Sequence, residues 1–345
     1  MKRFDAALQL LGPMALVGVV AIVGAYAASA GDSIKLRNAI VNVTIVVALY
    51  VFVGHSGVLS FGQISFVAVG AFSAGLMTVP TDVKPGVLPD LFSFLKHHSV
   101  GNFSSLVLAA VLGGLYALIV GAPLMRLSGL AAGIATFAVL GITHNILTYW
   151  TKIGPGATAL SLIPESTNFL QAALGALAVI GVAFGYQRSR WGRMLRAARE
   201  DPAAAQAAGI DIHRQRLWAF TLSGALCGFA GGLLVHLLGS ITTDQVYLEL
   251  TFLTLAMLVV GGVNSLLGAV VGALGVSLLD LFLGDHENEW HVGSVSLLPG
   301  GTRLVGVAFV MLVVLVLRPS GLTGGKELSL TRAVRRLVQS RSGPG

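Results

Sequence analysis

Side chains able to do chemistry are sparse in this sequence, and their spacing limits what they could do. Asp285-His286-Glu287-Asn288-Glu289-Trp290-His291 brings three carboxylates and two imidazoles within seven residues. These are metal-ligand types, but the spacing matches no defined ligand pattern; a solvated acidic loop, available to dock an external partner, is the simpler reading. His144, Asn145, His236, Glu249 and Asp280 are polar groups set in apolar stretches. Ionisable residues there are functional candidates by default. They stand near the ends of their segments, which favours polar anchoring, and no series of interior carboxylates offers a proton relay. Cys227 is the only cysteine, so no intramolecular disulfide can form. No Gly-x-x-x-x-Gly-Lys-Ser/Thr phosphate loop occurs, so the chain has no means of its own to hydrolyse ATP. No catalytic, cofactor or metal site is expected.

The polar residues of greater interest cluster after His55-Ser56-Gly57. Ser60-Phe61-Gly62-Gln63 has the spacing of a capping box, in which the Ser and Gln side chains each satisfy a backbone amide at a helix start. A helix N-terminus there could also meet a carboxylate in transit. Ser60, Gln63, Ser65 and Thr136 are the candidates for lining a path through the protein.

The strongest break in composition is Arg188 to Arg216, which carries seven arginines. Residues 193–208 are mostly Ala, Arg, Leu, Met, Glu and Gln, all strong helix formers. Asp201 is a good N-cap and Pro202 suits a first helical position. Gly209 can end the second helix in a left-handed conformation. The expectation is a basic helix continuing from the segment before it, then a short Ala-rich helix over 202–208. Ala203, Ala204, Ala207 and Ala208 would form a low-relief face able to lie in a groove on another protein. The competing reading is a plain basic loop beside a membrane.

These pieces must be held by a membrane scaffold. Of 345 residues, 55% are hydrophobic and 11% charged, against about 25% charged in a typical soluble domain. Mean hydropathy is +0.83. Ten apolar segments are readable as spans: 10–30, 38–54, 61–79, 104–124, 129–149, 168–187, 217–238, 249–264, 267–284 and 304–317. The first is long enough to be an uncleaved helix, although Ala28-Ser29-Ala30 looks like a signal-peptidase site. If all ten cross, 16 of the 22 Lys and Arg residues fall on the side of the N-terminus and 6 on the other. The positive-inside rule then puts both termini and the arginine-rich connector in the cytoplasm. The fold class expected is all-α: a polytopic transmembrane bundle of about ten spans, with one transmembrane domain over 1–322. Residues 323–345 read as a basic cytoplasmic tail attracted to anionic lipid, or alternatively touching a cytoplasmic partner. The net charge of +7 lies in loops beside spans and does not imply nucleic acid. Gly129/Gly133, Gly224/Gly228 and Gly268/Gly272 each place two glycines on one helix face, which lets helices approach closely.

Residues 189–210, Ser-Arg-Trp-Gly-Arg-Met-Leu-Arg-Ala-Ala-Arg-Glu-Asp-Pro-Ala-Ala-Ala-Gln-Ala-Ala-Gly-Ile, resemble the coupling loop of LivM-type permeases, the membrane subunits of branched-chain amino acid ABC importers. Four further pieces agree in order. They are Gly57 to Phe72, Arg126-Leu-Ser-Gly-Leu130 with Thr136-Phe-Ala, Val260 to Gly268, and Arg318-Pro-Ser-Gly-Leu322. The resemblance covers roughly residues 40 to 322. Gly154 to Pro164 and Pro202 depart from the family pattern, the first at a place that bears on substrate.

The resemblance implies a location in the bacterial inner membrane and a division of labour. A second homologous, LivH-like permease subunit would complete the gate. Two cytoplasmic ATPase subunits would bind ATP and grip the inner loops, and a periplasmic solute-binding protein would deliver the solute. The coupling role carries over to Arg196, Glu200, Asp201, Ala204 and Gly209. Urea or short-amide importers use similar permeases, and a stand-alone secondary carrier is the reading from a different class.

Overall fold

The computed structural model describes residues 2–27, 29–286, 291–292, 295–296 and 302–324. Among the described residues fourteen elements are α-helices, and most of them are apolar, as expected where no water is present to satisfy the backbone. In chain order the first part comprises α1 (Lys2–Ala27), α2 (Ala30–Ser56), α3 (Gln63–Thr78), the short α4 (Lys84–Val87) and α5 (Ser93–Lys96), α6 (Asn102–Leu124) and α7 (Gly129–Tyr149). The second part comprises α8 (Phe169–Arg188), α9 (Arg190–Glu200), α10 (Pro202–Ala207), α11 (Ile212–Leu238), α12 (Leu248–Gly261) and α13 (Leu266–His286). A last apolar helix, α14 (Thr302–Leu317), follows a two-residue antiparallel pairing of His291–Val292 with Val295–Ser296.

Each of the ten expected segments falls on one apolar helix, and the chain is an all-α polytopic bundle. Among the described residues, eight helices are long and apolar enough to cross a membrane; Gln63–Thr78 and Val305–Val314 are shorter apolar helices. The expected acidic loop lies mostly, and the expected tail after Gly324 wholly, outside the described residues.

The long α2 sits at the centre because it is apolar on every side, and it is buried from Ala39 to Ser56. On one flank it packs against α11, which in turn packs against α3 and α6; on the other it packs against α8, α12 and α13. Helices α1, α7 and α14 lie at the edges. Close approach of α11 to α6, and of α13 to α12, depends on glycine. A Cβ on Gly228 would collide with the Ala109 carbonyl of α6, and one on Gly272 with the Met257 carbonyl of α12. Two of the three expected glycine pairs thus stand at helix crossings. The third does not: Gly129 opens α7 with nothing near its Cβ position, and Gly133 meets only the turn before α3, with Leu59 O at 3.4 Å.

The loops sort into two ends. At one end, Leu160 and Ile241 pair through their backbones, Phe92 N donates to Lys152 O at 3.2 Å, and Arg37 Nη1 donates to Thr167 O at 3.1 Å. His236, anchored as its position suggested, is fully buried and bonded to Ser105 Oγ at 2.9 Å and Pro164 O at 3.3 Å. His144 stacks on Tyr247 with ring centres 4.0 Å apart and lies 3.6 Å from Asp244. Lys84 is not a solvated loop charge: it is fully buried, and its Nζ donates to Leu95 O at 3.2 Å and His98 O at 2.5 Å. The other end carries the connector.

Candidate coupling site

The connector is two helices rather than an extension of α8. Ser189 stops α8, and its extended backbone lets Oγ accept from Gly192 N at 3.1 Å while donating to Tyr186 O at 2.7 Å. A serine that can cap its own following helix competes with continuation of the preceding one, so the expected single basic helix breaks there. Gly192 completes the break, since a Cβ would strike the Tyr186 carbonyl oxygen.

Helix α9 is amphipathic: Gly192, Leu195 and Ala198 are buried, and Trp191, Arg193, Ala197 and Glu200 are exposed. Asp201 then caps α10 as its position implied, accepting from Ala203 N and Ala204 N at 3.0 Å each. Pro202 is the first helical residue. Gly209 follows in the left-handed region at φ 79°, and Ile210 N closes the turn on Ala205 O at 3.0 Å. Ala203, Ala204, Ala207 and Ala208 all face outward while Ala205 is buried. The four alanines make a low outward patch, beside which Gln206 is also exposed.

The arginines do something the sequence does not announce. Four of the seven reach back to carbonyl oxygens of the bundle or the connector itself. Arg193 Nη1 donates to Arg188 O at 2.6 Å, and Arg196 Nη2 to Gln187 O at 2.6 Å, which caps the C-terminus of α8. Arg216 Nη1 donates to Leu127 O at 3.4 Å in the turn between α6 and α7. Arg199 Nη1 makes two bonds of 2.7 Å, to Gly54 O at the end of α2 and to Asn264 Oδ1 between α12 and α13. Cations at helix C-termini complement the unpaired carbonyls there. Glu200 pairs with Arg199 Nη2 at 3.6 Å on the exposed side. Arg199 and Asn264 were absent from the sequence-derived candidates because their partners lie 145 and 65 residues away.

Beneath this junction runs the turn from α2 to α3. Gly57 adopts φ 70°, and a Cβ there would lie 2.8 Å from Arg199 Cγ. The expected capping box does not form. Gly62, not Ser60, is the N-cap of α3, and it makes no side-chain cap bond. The turn is held instead by a distant residue: Thr136 Oγ1 accepts from Phe61 N at 3.2 Å, and Gly62 lies so near the Thr136 carbonyl that a Cβ would be 2.5 Å from it. Thr136 also donates to Gly133 O at 2.8 Å, so it is satisfied and ties α7 to the turn. Ser60, Gln63 and Ser65 are buried with no hydrogen-bond partner for Ser60 Oγ, either Gln63 amide atom or Ser65 Oγ among the described residues. The structure therefore brings the four path candidates to one turn, three of them with unmet polar groups. Leaving a buried polar atom unpaired costs about 1–3 kcal/mol, so each such group needs an explanation.

The sequence matches the family model described as the permease component of the branched-chain amino acid transport system over residues 33–317. The chain belongs to that permease family. It is 26% identical to the high-affinity branched-chain amino acid transport permease LivM of Salmonella typhimurium, covering 97% of this chain and 78% of that protein. It is 24% identical to the Escherichia coli LivM, covering 88% and 72% respectively. A probable LivH permease of Methanocaldococcus jannaschii is 26% identical, covering 85% of this chain and 93% of its own length. No solved structure matches the chain. As a member of this permease family the protein is a multi-pass component of the bacterial inner membrane and part of an ABC transport system.

The connector has an inner and an outer face. Its outer face offers the four alanines and Glu200. Its inner face is fastened to the ends of α2, α8 and the α12–α13 turn.

Proposed function

We propose that this permease subunit is the gate of an ATP-driven importer for branched-chain or similar hydrophobic amino acids. A second homologous, LivH-like permease completes the gate. Two cytoplasmic ATPase subunits bind ATP and seat against α9 and α10, and a periplasmic binding protein delivers the solute. The chain binds no cofactor and catalyses no reaction itself. One observation carries this reading: α9 joins an exposed, capped, low-relief helix to the buried centre of the bundle through Arg199, Gly54 and Asn264. Force applied to α10 would reach α2 through α9 and the hydrogen bond from Arg199 to Gly54 O. Ser60, Gln63 and Ser65, next to that junction, are the polar groups that a solute would meet on leaving; Thr136 braces them.

The test uses the full complex in proteoliposomes. Glu200→Ala alters the outer face of the connector, and Gly209→Val forces a β-branched residue into a left-handed turn. Both are expected to leave the bundle assembled while ATP turnover no longer drives uptake, or while the ATPases dissociate in detergent. Concentrative uptake by this subunit alone in a proton gradient would overturn the reading in favour of a secondary carrier.

A further inference from the structure

An apolar cavity of about 210 Å³ separates the edge helix α7 from α3 and α6. Val69, Phe72, Ser73 and Leu76 border it at helical spacings of three and four, so it runs for about 10 Å along one face of α3. Ile146 and Leu147 face it from α7. Both helices start at the connector end of the bundle, and most of these residues lie past their midpoints. Tyr149 and Trp150, exposed at the far end of α7, are the aromatic types that gather where hydrocarbon meets lipid headgroups. The cavity therefore sits at acyl-chain depth in the leaflet away from the connector, whose share of the hydrocarbon core is about 15 Å.

The chemistry of the wall narrows what can fill it. Its hydroxyls are already engaged. Ser73 Oγ donates to Gly70 O at 3.0 Å; Tyr116 Oη lies 2.8 Å from Thr143 Oγ1, which in turn donates to Val139 O at 2.8 Å. Ordered water needs two to four polar partners, and a wall of this kind does not supply them. A charged or zwitterionic solute would give up its hydration with nothing in return. Left empty, the space would deprive its walls of dispersion contacts. A helix from a partner, about 10–12 Å across with its side chains, is too wide to enter. A hydrocarbon chain is not: a dry apolar cavity of about 150 Å³ already takes up benzene. The bilayer supplies such chains at this depth.

We propose that this cavity is a binding site for one acyl chain of a membrane phospholipid. The chain enters past Ile146, which is 39% exposed, and lies against Phe72, Leu76 and Leu147, which are buried. It covers Val69 and Ser73, two half-buried positions on an otherwise largely buried α3, and fills the gap that α7 leaves beside them. The site needs only the membrane bundle and does not depend on which solute is carried.

The test places the assembled transporter in nanodiscs of phosphatidylethanolamine and phosphatidylglycerol, with a trace of phosphatidylglycerol carrying a diazirine on one acyl chain. After photolysis, peptide mass spectrometry locates the label. Leu115 and Ile142 serve as controls: they adjoin the wall residues Tyr116 and Thr143 in sequence but are exposed, so they report ordinary lipid at the same depth. Label is expected on Phe72, Leu76 or Leu147 as well as on the controls, because a chain reaches those buried residues only by entering the cavity. Ser73→Leu and Val69→Phe fill the space from α3. Each should lower wall labelling at least about ten-fold while control labelling changes less than about two-fold, which also shows that the bundle still folds. Unlabelled walls, or wall labelling that survives both filling substitutions, overturn the proposal. A cross-link from Ile146→Cys to another subunit, with the walls unlabelled, overturns it in favour of a protein occupant.

Discussion

Arg199 Nη1 lies 2.7 Å from the carbonyl oxygen of Gly54, a contact that joins the connector to the most buried helix of the bundle. The same nitrogen holds Asn264 at 2.7 Å, so one guanidinium bridges α9, α2 and the α12–α13 turn. Arginine suits this position because its planar fork serves several acceptors at once and stays charged under all working conditions. Gly57 makes room for it, since a Cβ would press on Arg199 Cγ.

Arg199→Met should therefore keep much of the packing stem and lose the bridge. The expected result is a permease that reaches the membrane and retains its partners, with uptake per ATP hydrolysed falling at least about ten-fold, because roughly 1.5–3 kcal/mol per charged hydrogen bond is lost. Arg199→Lys should recover only part of the coupling. Parallel assays of ATP hydrolysis and solute uptake decide this; unchanged coupling in the Met variant would remove Arg199 from the coupling route.

Ser65→Ala should stabilise the subunit and slow transport. The Oγ is buried and has no partner among the described residues, so its removal relieves a cost of about 1–3 kcal/mol. Gln63→Leu should act in the same direction. Thermal unfolding in detergent, followed with uptake kinetics, separates the two effects. A loss of stability would show that these groups are satisfied by structure and do not wait for a solute.

Gly228→Ala should damage the bundle far from the connector. The added methyl would meet the Ala109 carbonyl where α11 crosses α6. Overpacking of this kind costs typically about 1–3 kcal/mol. The unfolding midpoint should drop, while Gly129→Ala, at a position with open space but φ 57°, should cost less. Equal shifts in the two variants would contradict the packing described for α11.

Lys84 gives a pH dependence. Burial holds its ammonium below the usual lysine range. The unfolded loop then binds the proton more readily than the folded one, so folding becomes more favourable as pH rises from the lowered value towards about 10.4, and levels off above it. Protease nicking of residues 80–100 should slow across that window. Lys84→Met should abolish the dependence and leave the Leu95 and His98 carbonyls without their donor. Nicking that is pH-independent in the unsubstituted protein would refute the assignment.

Much of the architecture was legible because it is local. Ten apolar stretches announced ten helices, since in lipid a backbone can satisfy itself only within its own segment. Asp201 and Gly209 announced the ends of α10, because a cap acts over two to four residues. The Ser60–Gln63 box was misread for the opposite reason: this turn is also held by contacts far along the chain, such as the bond from the Phe61 amide to Thr136, seventy-five residues away.

The amino-acid order alone settled that this chain is a membrane bundle with a basic, capped connector, because hydrophobicity, charge and capping act over a few neighbouring residues. Tertiary structure alone decided that Arg199 meets Gly54 and Asn264, that Ser60, Gln63 and Ser65 are left without partners among the described residues, and that Phe72, Tyr116 and Leu147 border one cavity. Those relations depend on how separate helices pack, and helix packing is set by the shapes of whole faces in contact rather than by the order of residues along any one of them.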